Sequence, residues 1–209
     1  KEFVRFLIES GVLKFGDFTT KSGRKTPYFI NTGNYDDGKK LSKLGEFYAE
    51  LVNENFPSAT LVFGPAYKGI SLSVITAIKL YEKYGKVVNV AYNRKENKDH
   101  GEGGIIIGKV SKDDKVVIVE DVITSGLSIR ESLEILRDVG NPKVLGVVVS
   151  VDRMEKGQTT KLASREIEEE FGIKVISIIN VIEIIEYLRS KNENLELVKR
   201  MEDYLKENS

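Results

Sequence analysis

The chain holds no cysteine. That excludes a disulfide framework, a thiol nucleophile and a zinc site built on thiolates, and a reducing cytoplasm is the simplest compartment for it. Net charge is absent too: 32 lysines and arginines balance 32 aspartates and glutamates. With no global basic field and no polybasic tail, nucleic acid is not an expected partner. No run approaches the ~18 apolar residues of a membrane span, so no membrane partner is expected either. Histidine occurs once, at His100. The opening Lys1–Glu9 stretch is too charged and too short for a signal peptide, and the lack of an initiating Met fits a trimmed chain. Repeats, low-complexity segments and long linkers are also missing. What remains is 209 residues, enough for one sizeable core, with length alone allowing one or two domains. Basic residues gather locally, which suits a small anionic ligand.

The chain is organised around residues 116–128. Val116, Val117, Ile118 and Val119 are β-branched and apolar, as in a strand buried on both faces of a parallel sheet. Glu120 and Asp121 follow where that strand should end. Val122 and Ile123 lead to Thr124, Ser125, Gly126, Leu127 and Ser128. Ser128 with Glu131 forms the pattern of a capping box, and the helix it opens would bury Ile129, Leu133 and Leu136 and stop at Gly140. Val144–Val149 reads as the next strand. Free backbone N–H groups at a helix start, beside hydroxyls, make an anion site. Glycine lets the backbone close on a phosphate. The carboxylates repel a phosphate, but they can accept hydrogen bonds from vicinal ribose hydroxyls or hold a hydrated Mg²⁺. A phosphorylated sugar therefore fits this unit better than a plain βα turn.

Further along the chain the same grammar returns. Residues 2–10 read as an amphipathic helix, and Leu41–Phe56 as another. Thr60–Phe63 is a buried strand running into Gly64-Pro65-Ala66-Tyr67-Lys68-Gly69, after which Ser71 or a neighbour opens a helix to Gly85. The lysine in this loop suits a highly charged anion such as pyrophosphate, and the spacing is not that of a Walker loop. Val87–Tyr92 reads as a strand. The polar, glycine-rich stretch 93–104 then lacks apolar residues, so it is expected to stay unpacked and mobile. Arg153 falls after the strand ending at Val149, where it could fork onto a carboxylate or simply pair with Asp152 or Glu155 at the surface. Residues 162–171 form a Glu-rich helix, Lys174–Ile179 a strand, and Val181–Arg189 and Leu195–Glu207 two helices read as packing alone. Near the start, three cations in residues 21–25 run into the aromatic strand Pro27–Ile30. That arrangement suits either a flat anionic ring or a basic surface hairpin.

Residues 116–128 resemble the phosphoribosyl pyrophosphate (PRPP) signature of the type I phosphoribosyltransferases, with Glu120 where aspartate is usual and Leu127 where Thr or Gly is common. Lys21–Asn31, Gly64–Gly69 and Arg94–Gly104 are similar to the hood, pyrophosphate loop and catalytic lid of the orotate phosphoribosyltransferases in that class. The likeness runs from about Phe15 to Ile179. It implies that PRPP is bound by Lys21, Tyr67, Lys68, Arg94, Lys95, Lys98, His100 and the stretch Glu120, Asp121, Val122, Ile123, Thr124, Ser125, Gly126, Leu127 and Ser128. Orotate would meet Phe29, Ile30, Thr124 and Arg153. Lys98, His100 and Asp121 would be catalytic, with Lys98 and His100 reaching the site of the partner subunit in a homodimer. Mg²⁺ is the implied cofactor, carried mainly by PRPP and held by Glu120 and Asp121 through water, with no direct protein metal site.

Strands alternating with helices argue a doubly wound α/β fold, a parallel sheet flanked by helices, in which ligands sit beyond the strands' carboxyl ends. One domain spanning 1–209 is expected, with 1–35 forming a small N-terminal hood. The implied reaction joins phosphoribose from PRPP to a ring nitrogen of orotate, giving orotidine 5'-monophosphate and pyrophosphate, in pyrimidine synthesis. Two alternatives stay open: a related transferase for a purine or other base, and a PRPP-sensing regulator that binds nucleic acid. Activity on hypoxanthine or adenine would mark the first, and a salt-dependent gel shift the second.

Overall fold

A computed structural model of the chain describes residues 1–19, 25–98, 104–192 and 194–209, with only the backbone described for Asn97 and Lys98. Among these residues a sheet of six strands has the order β5-β4-β3-β6-β7-β8: β3 is Leu61–Gly64, β4 Asn89–Lys98, β5 Gly104–Ile107, β6 Lys115–Ile123, β7 Lys143–Asp152 and β8 Lys174–Asn180. All pairs are parallel except β4 with the edge strand β5. The chain passes from β3 outward to β4 on one side, then returns to lay β6, β7 and β8 on the other. The crevice between β3 and β6 is therefore the topological switch point, where open α/β sheets take their ligands.

Alternation along β6 sets the two cores. Val117 and Val119 join one cluster, with residues of α2 (Gly38–Asn55), α3 (Lys68–Tyr84), α6 (Val181–Ser190) and α7 (Leu195–Asn208). Val116 and Ile118 join the other, with Ile129, Leu133 and Leu136 of α4 (Leu127–Val139) and Ala163 and Ile167 of α5 (Ala163–Phe171). Burial on both faces explains why these strands are unbroken apolar runs. The doubly wound architecture is thus as expected, with one antiparallel edge strand added. No helix among the described residues is long and apolar enough to cross a membrane.

Outside this sheet, β1 (Leu13–Thr19) and β2 (Lys25–Ile30) form an antiparallel pair behind α1 (Glu2–Glu9). Val4, Leu7, Leu13, Tyr28 and Ile30 share a cluster with Val198, Met201 and Tyr204 of α7, so α1, β1 and β2 pack with the C-terminal helix.

Three local expectations need correction. First, the helix after β3 starts at Lys68, not Ser71, and α2 starts at Gly38, where Asp37 caps Lys40 N–H at 2.8 Å. Second, Ser128 does not cap α4: the helix follows Gly126 with no side-chain cap. Ser128 lies inside its first turn, and its hydroxyl donates to Glu120 Oε2 at 2.5 Å. A carboxyl oxygen eight residues back wins over the local backbone. Third, the polar stretch after Tyr92 is not unpacked throughout. Asn93–Lys98 continues β4 and pairs with β5, and Arg94 Nη1 donates to Gly104 C=O at 2.9 Å. Ladder hydrogen bonds, not apolar burial, build this arm.

Candidate functional site

The pairing of β6 is lopsided, and the site follows from that. On its β3 side the ladder ends at Phe63–Ile118, whereas on its β7 side it runs on to Ile123–Asp152. Glu120 and Asp121 therefore sit within the strand but beyond the end of β3, at the open crevice. Two long-range donors steady this extension. Tyr48 of α2 donates to Glu120 C=O at 2.6 Å, and Ser150 of β7 donates to Asp121 C=O at 2.5 Å.

Across the crevice, the β3–α3 turn brings Lys68 Nζ to Asp121 Oδ2 at 2.9 Å. Thr32, in the short 3-10 turn Thr32–Asn34, donates to the same oxygen at 2.6 Å. Asp121 Oδ1 accepts the N–H of Val122 at 2.8 Å. Three separate segments thus meet at one carboxylate. Lys68, Thr32 and Asp121 line a cleft with Tyr35, Leu41, Leu44, Tyr48, Ser71 and Leu72, whose volume is about 170 Å³.

A second hollow, about 380 Å³, is lined by Glu120, the whole stretch Val122–Ile129, Glu131 and Lys95. Gly126 adopts φ +76°, and a Cβ there would come within 3.3 Å of Ile167. A glycine is therefore required where the loop turns into α4. The hollow joins a helix N-terminus, three hydroxyl-bearing residues and a cation from the arm, a set suited to a phosphate.

The β3–α3 turn is tied to that arm. Asn93, buried at the start of the arm, accepts the N–H of Ala66 at 2.9 Å and donates to Arg94 C=O at 3.2 Å. Tyr67 is largely exposed at the tip of the turn. The expected site residues on the arm divide accordingly. Arg94 and Lys95 are on β4 near the crevice; the side chain of Lys98, and His100 and Lys21, lie outside the described residues.

Arg153 follows β7, and its N–H donates to Ile123 C=O at 3.2 Å, one residue from the small-residue loop. The Glu155 pairing is present, with Nε and Nη2 each 2.7 Å from Oε1, but it is buried rather than at the surface. Phe29 and Ile30 point to opposite faces of β2. Phe29 is exposed beside Phe18, and Ile30 is in the core, so any ligand contact by Ile30 comes from its main chain.

Thr32, Tyr48, Asn93 and Ser150 were missed by sequence reasoning. Only Tyr48 left a trace: a phenol within an otherwise apolar helical stripe must find an acceptor.

Burial, and next the nearby Asp121 charge, push the Glu120 carboxyl up to about 7, against the opposing hydrogen bonds from Ser128 and Asp121 N–H. A folded-state value above the unfolded one means that ionisation opposes folding. At pH below about 4.5 both states keep the proton and no penalty exists; above about 7 the penalty is complete, on the order of 3 kcal/mol. Glu120→Gln removes that charge. Thermal unfolding of the ligand-free protein should show the variant several degrees more stable than the parent at pH 8, with no such gain at pH 4. An equal difference at both pH values would refute the assignment.

A family model described as "Phosphoribosyl transferase domain" matches residues 31–180. An orotate phosphoribosyltransferase from Clostridium botulinum (strain Alaska E43) is 52% identical over 215 residues, covering 99% of this chain and 96% of that protein. Another, from Lachnoclostridium phytofermentans, is 52% identical over 209 residues, covering 99% and 92%. Among solved structures, the orotate phosphoribosyltransferase of Francisella tularensis superimposes with a TM-score of 0.87 at 35% identity, covering 99% of this chain and 98% of that one.

Proposed function

The chain belongs to the phosphoribosyl transferase family, among the orotate phosphoribosyltransferases, and from that premise we propose how its crevice carries out the transfer. The reaction joins phosphoribose from PRPP to orotate, giving orotidine 5'-monophosphate and pyrophosphate, in the synthesis of pyrimidine nucleotides. One observation carries the assignment of roles: Lys68, Thr32 and Asp121 converge at the switch point, beside a small-residue loop opening α4.

The 5'-phosphate sits on the N–H groups and hydroxyls of Thr124–Ser128, with Lys95 nearby. Asp121 and Glu120 accept hydrogen bonds from the ribose hydroxyls. Lys68 is more than half exposed, so the incoming diphosphate draws its ammonium off Asp121, and the ribose donors replace it. The ring nitrogen of orotate then attacks the anomeric carbon, and its proton passes to solvent. The bond from that carbon to the diphosphate oxygen breaks, and its electron pair leaves with pyrophosphate. Charge on the leaving group is met by Lys68, Arg94, Lys98 and Lys21, and no covalent enzyme intermediate or strong base is needed. Arg153, Phe29, Ile30 and Thr124 hold orotate in line. His100 and Lys98 close over the sugar and exclude water.

Mg²⁺ fits as a companion of the substrate. Among the described residues no group of three or more acidic, His or Cys side chains could cage a metal, whereas Glu120 and Asp121 stand together where water-mediated contacts would hold one. A hard cation that keeps most of its water and binds phosphate oxygens suits that arrangement, and it supplies neutralisation of the diphosphate. Loss of orotate absorbance in the presence of PRPP, abolished by EDTA and restored by excess Mg²⁺, tests both reaction and cofactor. Consumption of adenine or hypoxanthine instead would overturn the substrate.

A homodimer with a shared arm is supported by the outer face of α3. Val74, Ile78 and Tyr81 are exposed at helical spacing, continuing from Tyr67 at the site. Mixing Asp121→Asn chains with Lys98→Ala chains is expected to restore about a quarter of the parental rate through heterodimers with one intact site. No recovery would place Lys98 over its own subunit's site.

A further inference from the structure

Helix α7 reads from the sequence as packing alone, and Leu197, Val198 and Met201 on its inner face do pack. Tyr204, the fourth buried residue of that face, does something more. Its hydroxyl donates to Glu155 Oε1 at 2.9 Å, and Arg153 Nη2 lies 3.4 Å from the same hydroxyl. That single carboxylate oxygen also takes Arg153 Nε at 2.7 Å. On another side the Tyr28 ring lies 4.7 Å from the guanidinium carbon, and the Tyr204 ring stands edge-on to Tyr28 at 5.9 Å and 88°. Arg153 and Glu155 are 7% and 3% exposed.

A buried guanidinium has five donors in a rigid plane, so fixing one edge fixes the direction of the rest. Every side-chain hydrogen bond of Arg153 named above uses the Nε and Nη2 edge, and Tyr28 covers the face. A phenol donated to the same oxygen of Glu155 from a helix some fifty residues away adds a constraint that comes from a separate part of the chain.

We propose that Tyr204 is a positioning residue: through Glu155 it locks the Arg153 guanidinium so that its remaining edge meets the carboxylate of orotate. The C-terminal helix thereby becomes part of the apparatus that selects a carboxylated pyrimidine. This rests on the substrate assigned above and goes beyond it by naming what aims the arginine.

The test is Tyr204→Phe in the full chain, which keeps the ring and its packing and removes only the hydroxyl. KM for orotate is expected to rise about 5- to 10-fold, part of the effect of one hydrogen bond to a charged group because the loss acts through Glu155, with KM for PRPP within about twofold of the parent. The inhibition constant of uracil, which lacks the carboxylate, should not change. Glu155→Asp, which shortens the carboxylate that Tyr204 holds, should show the same split. An unchanged orotate KM in Tyr204→Phe, or orotate, PRPP and uracil weakening together, would overturn the role and leave Tyr204 as a structural support. If the parental chain itself consumed no orotate, the substrate assignment would fall first, and the role of Tyr204 with it.

Discussion

Asp121→Asn is expected to lower kcat/KM for PRPP by about 10²- to 10³-fold while leaving the fold intact. The carboxylate now faces two donors on Oδ2 and one on Oδ1. In the Michaelis complex the ammonium of Lys68 leaves for the diphosphate and ribose hydroxyls take its place. Hydrogen bonds to a charged acceptor contribute roughly 1.5–3 kcal/mol each, and about 1.4 kcal/mol is tenfold in rate; losing the charge beneath two of them, with part of each bond kept by the neutral amide, removes about 3–4 kcal/mol and gives this range. The amide also turns an N–H₂ toward one set of donors, so it cannot reproduce both faces of the carboxylate. Stability should hardly move. The Lys68 partner is more than half exposed, and pairs of that kind contribute about 0–1 kcal/mol. Steady-state kinetics with PRPP varied, beside thermal unfolding, reads both halves. A variant with parental kcat/KM would show that Asp121 does not hold the sugar.

The parts of this site that were legible in the sequence are those written within a few neighbouring residues. A buried strand, two acids and a run of small residues identify the loop before α4 without any tertiary information. The same is true of Gly64–Gly69, because a glycine-flanked turn with a lysine has few other uses. What joins these loops could not be read. Thr32 reaches Asp121 across 89 positions and Tyr48 reaches Glu120 across 72, and nothing local to Thr32 distinguishes it from an ordinary turn residue. Ser128 shows the converse failure. Its spacing to Glu131 satisfied a local rule, but folding brought Glu120 within reach and the stronger acceptor took the hydroxyl. The arm failed for a related reason. Apolar content reports burial well, whereas a two-stranded ladder satisfies its backbone without burying anything. Arg153 lay between these cases: its place at a strand end was visible, but the buried Glu155–Tyr204 setting was not.

Gly64→Ala should damage stability and catalysis together, and for one reason. A Cβ on Gly64 would lie 1.9 Å from the carbonyl oxygen of Gly69 and 2.7 Å from the hydroxyl of the buried Ser73; a Cβ on Gly69 would lie 2.7 Å from Pro65 Cδ. The end of β3 and the first turn of α3 therefore touch backbone to backbone. Gly64 also pairs with Tyr92 in the sheet, which resists a shift of the strand. The added methyl must push the helix start, and with it Tyr67 and Lys68. Overpacking of this kind costs about 3 kcal/mol, a fall of roughly 6–12 °C in Tm for a chain of this length. Displacing Lys68 by as little as an ångström is expected to lower kcat/KM for PRPP on the order of 10²-fold. Gly85→Ala is the matched comparison. Gly85 has φ +63° with open space around it, so only the left-handed backbone penalty of about 1–2 kcal/mol applies, and PRPP kinetics should stay parental. If Gly64→Ala lost stability yet kept its kinetics, the turn would be a structural joint only, and Lys68 would not depend on that contact for its aim.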